Sequence, residues 1–261
     1  AEYDTFFTQD SAKQIVTRVA VNLKLRPNAM GFLRIGTQNT IYESLFGVIA
    51  PLIYKNSIEE VKERILEVVV PRIFINAHFG NLVLEFYNPM DGRAMPATRQ
   101  ELMSWSQRHL GIQLNSVNAY ALLRIYNSYK RFVQFINDPT QRKDLRHIQP
   151  LLAEPGLFTP RGIQLIILEE DENNVIRIKC PSFGVSIDRH RKNDFAFISR
   201  SMKKIGSTEN TYAKYELFIY TSNKPAKGGE GEIHETIVKW DFMSRRYWPQ
   251  IISRRIDEYM N

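Results

Sequence analysis

Gly162-Ile163-Gln164-Leu165-Ile166-Ile167-Leu168 is followed, after the polar break Glu169 to Asn174, by Val175-Ile176-Arg177-Ile178-Lys179-Cys180. The first segment is a nearly continuous apolar run of the length a buried strand needs. The second alternates apolar with charged residues, as a half-buried strand does. Asn173-Asn174 supplies the turn residues between them. Two further strand patterns, Asp194 to Ser199 and Lys214 to Tyr220, lie downstream at turn-length spacing. All four segments are therefore expected in one mostly antiparallel sheet.

Upstream, nearly everything reads as helix. Ser11 to Leu25 carries Ile15, Val16, Val19 and Leu23 at helical spacing, and Gly31 to Gly36 reads as a glycine-bounded connector. Asn39 or Thr40 can cap the next helix, whose apolar face holds Ile41, Leu45, Val48 and Ile49. Ser57 with Glu60 and Thr98 with Glu101 have the spacing of capping boxes. Ala77 to Tyr87 reads as helical, and Asn88 to Pro96 as a loop. The longest helical pattern starts at Asn115 or Ser116 and stops at Asp138-Pro139. A short helix spans Asp144 to Leu152. No internal repeat or long linker divides the chain. The layout predicts a single α+β domain over 1–261, with a helical first half packed on a small, mostly antiparallel sheet in the second half. Residues 1–160 are mainly helical on this reading. The sheet region is 161–222, and 232–261 forms a C-terminal strand and helix tail.

Composition narrows the class. A chain of 261 residues that is 43% apolar, with 15 Phe and 12 Tyr, can bury a substantial core and is not a disordered segment. No apolar stretch approaches the roughly 20 residues a membrane-spanning helix needs. Ala1-Glu2-Tyr3-Asp4 does not resemble the start of a signal peptide, and the missing initiator Met suggests a processed product or an excised piece. One cysteine cannot form an internal disulfide, which points to a reducing, intracellular setting: host cytoplasm, nucleus or virion. The net charge of +7 and pI near 9.4 suit contact with nucleic acid or an acidic protein.

No motif declares a chemistry. Cys180 is the sole thiol; it closes a strand beside Pro181 and reads as a small packing residue rather than a nucleophile. The histidines, His78, His109, His147, His190 and His234, lack the short spacings that place metal ligands on one face, so no metal or cofactor is expected. The chain has neither a phosphate-binding glycine loop nor a serine nucleophile elbow. Two basic sets are candidate contacts for nucleic acid or another anion. One is Arg189, Arg191 and Lys192 with Arg200, Lys203 and Lys204. The other is Arg245, Arg246, Arg254 and Arg255, interleaved with Tyr247 and Trp248. Arg245 to Met260 reads as an Arg-rich amphipathic helix whose apolar face includes Trp248, Ile252 and Ile256.

The chain resembles a divergent OTU-type (ovarian tumour-type) cysteine protease domain of the sort embedded in large proteins of nucleocytoplasmic large DNA viruses. Four stretches carry the resemblance, one of them Phe79-Gly80-Asn81-Leu82, which is similar to the family's central helix. Gly36-Thr37-Gln38-Asn39-Thr40-Ile41-Tyr42-Glu43-Ser44-Leu45 stands where that family has its nucleophile at a helix start. Leu157 to Leu168 is similar to its first core strand, and Lys214 to Tyr220 to the strand that bears the catalytic histidine. The resemblance implies Thr40 at the nucleophile position and Lys214 at the histidine position. A threonine hydroxyl needs a strong adjacent base, and a lysine with an ordinary pKa near 10.4 is a poor one at neutral pH. The implied function is a catalytically inactive OTU-like domain acting as a protein-interaction or scaffold module. Its partner would be ubiquitin-like or another viral subunit. Two alternatives stand beside it: a nucleic-acid-contacting domain of a viral replication or transcription assembly, and an active deubiquitinase-like hydrolase using Cys180.

Overall fold

The computed structural model describes residues 5–9, 15–19, 30–35, 40–89, 98–170, 176–179, 193–206, 211–222, 236–237 and 254. The apolar run becomes strand β4 (Ile163–Glu170), antiparallel to β5 (Ile176–Lys179) and parallel to β6 (Asp194–Lys204). Strand β7 (Thr211–Ser222) then runs antiparallel to β6. All four expected segments thus share one sheet. Its remaining described pairings are antiparallel, as expected of a mostly antiparallel sheet.

The sheet is larger than the sequence reading anticipated. Three N-terminal strands, β1 (Thr5–Gln9), β2 (Ile15–Val19) and β3 (Met30–Ile35), extend it, and the short β8 (Thr236–Ile237) pairs with the end of β7. The order is β2-β1-β3-β7-β6-β4-β5. This corrects two expectations. The helix expected over Ser11 to Leu25 is replaced by β2, because Ile15-Val16-Thr17-Arg18-Val19 is dominated by β-branched residues, which stiffen χ1 and favour a pleated surface. The connector expected at Gly31 to Gly36 is β3, held from Met30↔Ser222 to Ile35↔Leu217 against β7.

Most helices fall where expected, but one over Pro71–Asn76 was not expected, and the helix expected over Ala77 to Tyr87 starts only at Asn81, because His78 and Phe79 take left-handed backbone before it. The helices are α1 (Ser44–Leu52), α2 (Ile58–Val68), α3 (Pro71–Asn76), α4 (Asn81–Glu85), α5 (Arg99–Leu110), α6 (Ala119–Asn137) and α7 (Leu145–Ala153). Helix α5 begins with a complete capping box: the Glu101 amide donates to Thr98 Oγ1 at 3.1 Å and the Thr98 amide to the Glu101 carboxylate at 2.8 Å. At α2 only half of the box forms. The Glu60 amide donates to Ser57 Oγ, whereas the Glu60 carboxylate accepts from Asn56 instead. Thr40 does not cap α1, whose N-cap position is Glu43, without a side-chain cap bond; Asn39 lies outside the described residues.

The main core lies between the helices and one face of the sheet. Phe46 and Ile49 of α1, Val61 and Ile65 of α2, Phe74 of α3, Phe132 of α6 and Leu151 of α7 meet Leu165, Ile167, Ile198, Tyr215 and Leu217. Burying side chains of this size contributes about 1.5–3 kcal/mol each. The opposite face is buried as well: Ile166, Phe197 and Phe218 sit side by side in register, and none is more than 3% exposed. Burial on both faces explains why β4 reads as an unbroken apolar run rather than an alternation. A smaller cluster, Leu102, Leu122, Leu123 and Tyr126, joins α5 to α6.

Candidate functional site

Two of the stretches that carry the resemblance meet at the start of α1. The described pairing of β3 ends at Ile35↔Leu217, and among the described residues no strand lies beside β7 below Leu217 on that side. The Ser44 side chain fills the gap. Its hydroxyl donates to the Ala213 carbonyl at 3.3 Å and accepts from the Tyr215 amide at 3.1 Å. A serine can do both at once because its oxygen carries one proton and two lone pairs.

Lys214 lies between these two residues but on the other face. Ala213, Tyr215 and Leu217 belong to the helix-facing core, and alternation along a strand turns Lys214 and Glu216 away from it. There the Lys214 ammonium pairs with the Glu216 carboxylate at 2.8 Å. Thr40 is exposed and stands four residues before the first residue of α1, not at the helix start. The contact therefore joins the two segments through Ser44, and Lys214 is not directed at the start of α1.

Next to Ser44 is a buried charge cluster. The Glu43 carboxylate pairs with Lys62 at 2.8 Å and with Lys143 at 3.7 Å. Lys143 is only 1% exposed. Its ammonium donates to the carbonyls of Phe135 and Asp138, the latter at 2.6 Å, and its amide donates to the Tyr42 carbonyl at 2.9 Å. It thus satisfies carbonyls that α6 leaves unbonded at its C-terminus, where a cation is also favoured by the helix dipole. Burial pushes the Lys143 ammonium down to about 8; Glu43 opposes that shift and Lys62 adds to it. The residue clamps the segment before α1 to the end of α6. Enclosed as it is, it is no surface nucleophile.

A second cluster sits under α7. His147 Nε2 lies 3.5 Å from the Glu85 carboxylate and 3.2 Å from Arg146 Nε, and the ring packs on Phe86 and Phe135. Burial, reinforced by the Arg146 charge, holds the imidazole below its ordinary pKa, so it is neutral in the folded protein at pH 7. Nearby, His78 and Phe79 both adopt left-handed backbone, at φ 51° and 56°, before Gly80.

Of the basic candidates, Lys203 and Lys204 are exposed at the end of β6, and Arg254 is exposed. Arg200 is half-buried and pairs with Glu169 at 3.4 Å. Arg189, Arg191, Lys192, Arg245, Arg246 and Arg255, like Cys180, lie outside the described residues, as does almost all of the expected C-terminal helix. Among the described residues no cluster of three or more His, Cys, Asp or Glu could hold a metal ion. No helix described is long and apolar enough to cross a membrane.

Comparison with family models, with curated proteins and with solved structures found no match for this chain.

The sequence reading missed the Glu43–Lys62–Lys143 cluster and the Glu85–His147 pair. Glu43, Lys62 and Lys143 come from three distant segments: Lys62 and Lys143 sit in charged stretches that look like solvated faces, and Glu43 is a lone charge ahead of an apolar helix.

Proposed function

We propose that this protein is a catalytically inactive OTU-like domain that serves as a protein-interaction or scaffold module. One observation carries the reading. The position implied for a catalytic base holds Lys214, which faces away from α1 and is neutralised by Glu216. A general base must come within about 3 Å of the proton it takes, directly or through one water, and must be unprotonated to take it. The backbone edge nearest the start of α1 is occupied by the Ser44 hydroxyl, so this junction supplies packing. The test is incubation with a panel of di-ubiquitins and with a ubiquitin-based electrophilic probe. Intact chains and no adduct are expected, for the wild type and also for Thr40→Cys, which restores a thiol without a facing base. Cleavage that one substitution abolishes, at Cys180 or elsewhere, would overturn the proposal.

A specific feature favours a second reading, contact with nucleic acid. Strands β6 and β7 continue as a two-stranded ribbon past the ends of β4 and β3, through Ser201↔Lys214, Met202↔Ala213, Lys203↔Tyr212 and Lys204↔Thr211. Lys203 and Lys204 are exposed and have no carboxylate partner among the described residues. Tyr212 stands opposite Lys203 and adds an aromatic surface. On this reading log K for an oligonucleotide falls linearly with log salt concentration, and Lys203→Glu with Lys204→Glu flattens the slope by about two counterions' worth. A slope unchanged by the double substitution removes the ribbon from consideration.

A further inference from the structure

The two helices that form the satellite core leave a groove of about 290 Å³ along α5, floored by Tyr126 of α6. Trp105 forms its wall, half-buried, with its ring 5.2 Å from Tyr126 in an edge-to-face arrangement and 5.6 Å from His109. Gln100 and Ser104 are exposed along the same side and offer hydrogen bonds. One cation lines the groove and a second stands beside its floor ring. Arg108 is exposed on α5, and the Lys130 ammonium lies 4.7 Å from the centre of the Tyr126 ring. Neither has a carboxylate within ion-pair distance among the described residues. Among the described residues the one acid lining the groove, Glu101, is already bonded to the Thr98 amide at the start of the helix.

We propose that this groove binds an acidic peptide segment of a partner protein, with one aromatic or large aliphatic side chain seated against Trp105 and Tyr126. Three properties define the occupant. The volume falls at the lower limit for ligand sites, which run from about 300 to 1,000 Å³, so it admits one ring and no extended cofactor. The aromatic wall and floor are the kind of anchor site in which interface energy concentrates. Arg108 on the lining and Lys130 beside the floor ring, both without a carboxylate partner among the described residues, call for carboxylates next to the anchor. A nucleic-acid strand fits less well, because its regular phosphates would meet the Glu101 carboxylate in the groove itself. The proposal rests on the interaction-module reading and supplies its partner class. Its failure would leave the di-ubiquitin result untouched, so the two can fail separately.

The test pans a phage-displayed random dodecapeptide library on the full chain, with an Arg108→Glu/Lys130→Glu double variant as the counter-target. Both substitutions are at exposed positions, and an unchanged thermal melt confirms that the variant is folded. Enriched peptides are expected to carry Phe, Trp or Leu flanked by Asp or Glu. As fluorescein-labelled synthetic peptides they should bind at least tenfold more weakly to Arg108→Glu and to Trp105→Ala in an anisotropy titration, and more weakly as salt rises. No enrichment, or peptides that bind the double variant equally well, would overturn the proposal. So would a fluorescein-labelled oligothymidylate that binds the wild type and is lost on the same substitutions, which would assign the groove to nucleic acid.

Discussion

Replacing Lys143 by Ala is expected to lower the free energy of unfolding by about 3–5 kcal/mol, the usual result of removing one partner from a buried ion pair. The loss has two sources. The Phe135 carbonyl loses its side-chain donor at the end of α6, the Asp138 carbonyl keeps only the longer bond from the Gln141 amide, and the buried Glu43 carboxylate is left with Lys62 among the described residues. Urea unfolding reads the effect directly; a loss below about 1 kcal/mol, the worth of one ordinary hydrogen bond, would show that the clamp is dispensable. The same residue gives stability a pH dependence of definite sign. Its folded pKa is lowered to about 8 from an ordinary 10.5. Between those values the unfolded chain holds a proton that the folded chain has released, so stability rises with pH across that window. Below about 8 both states are protonated and the penalty of the buried charge is fully present. Lys143→Met should abolish the rise from pH 8 to 9.5. His147 acts on the acid side with the same sign: its folded pKa is depressed, so stability falls as pH drops below about 6.5. Comparing the two windows in Lys143→Met separates the groups.

Gly162→Ala is expected to cost about 2–5 kcal/mol, combining roughly 1–2 for left-handed backbone with 1–3 for overpacking. Gly162 has φ +72°, and a Cβ there would collide with the Ala153 carbonyl oxygen and approach its carbon to 2.7 Å. Those are backbone atoms at the end of α7, and the Asn193 side chain already donates to that carbonyl at 2.9 Å. The Gly162 carbonyl in turn accepts from the Asp194 amide where β4 and β6 begin to pair. Gly156→Ala is the control: its φ is +82°, but nothing lies within 4 Å of the added carbon. It should lose only the backbone share, about 1–2 kcal/mol. Equal losses at the two positions would remove the steric argument.

What could be read from the sequence divides along physical lines. The β4–β5 hairpin, the α5 capping box and the Asp144 cap of α7 are local patterns, each complete within a few residues. Strand β2 was misread because Ile15, Val16 and Val19 satisfy a helical spacing while the same residues are β-branched. The tie was decided by pairing with β1, which no local window contains. In the candidate site, Thr40 and Lys214 were named from the resemblance. Which face of β7 Lys214 occupies follows only from the core contacts of its neighbours. Lys143 stands in Gln141-Arg142-Lys143-Asp144, a stretch that reads as a solvated turn. The α5 spacing of Glu101, Trp105 and His109 is visible as one helical stripe, but Tyr126 reaches it from another helix.

The Ser44 hydroxyl has a consequence for the order of assembly. It bridges residues 169 and 171 positions away, and β3 finds its partner at the same remote strand. Closing loops of that length costs entropy before any contact repays it, and such topologies fold slowly. A chain leaving the ribosome presents β3 and α1 long before β7 exists. The first-made strands therefore wait with an open edge, and the sheet joins at its middle only when residues 211–222 have emerged.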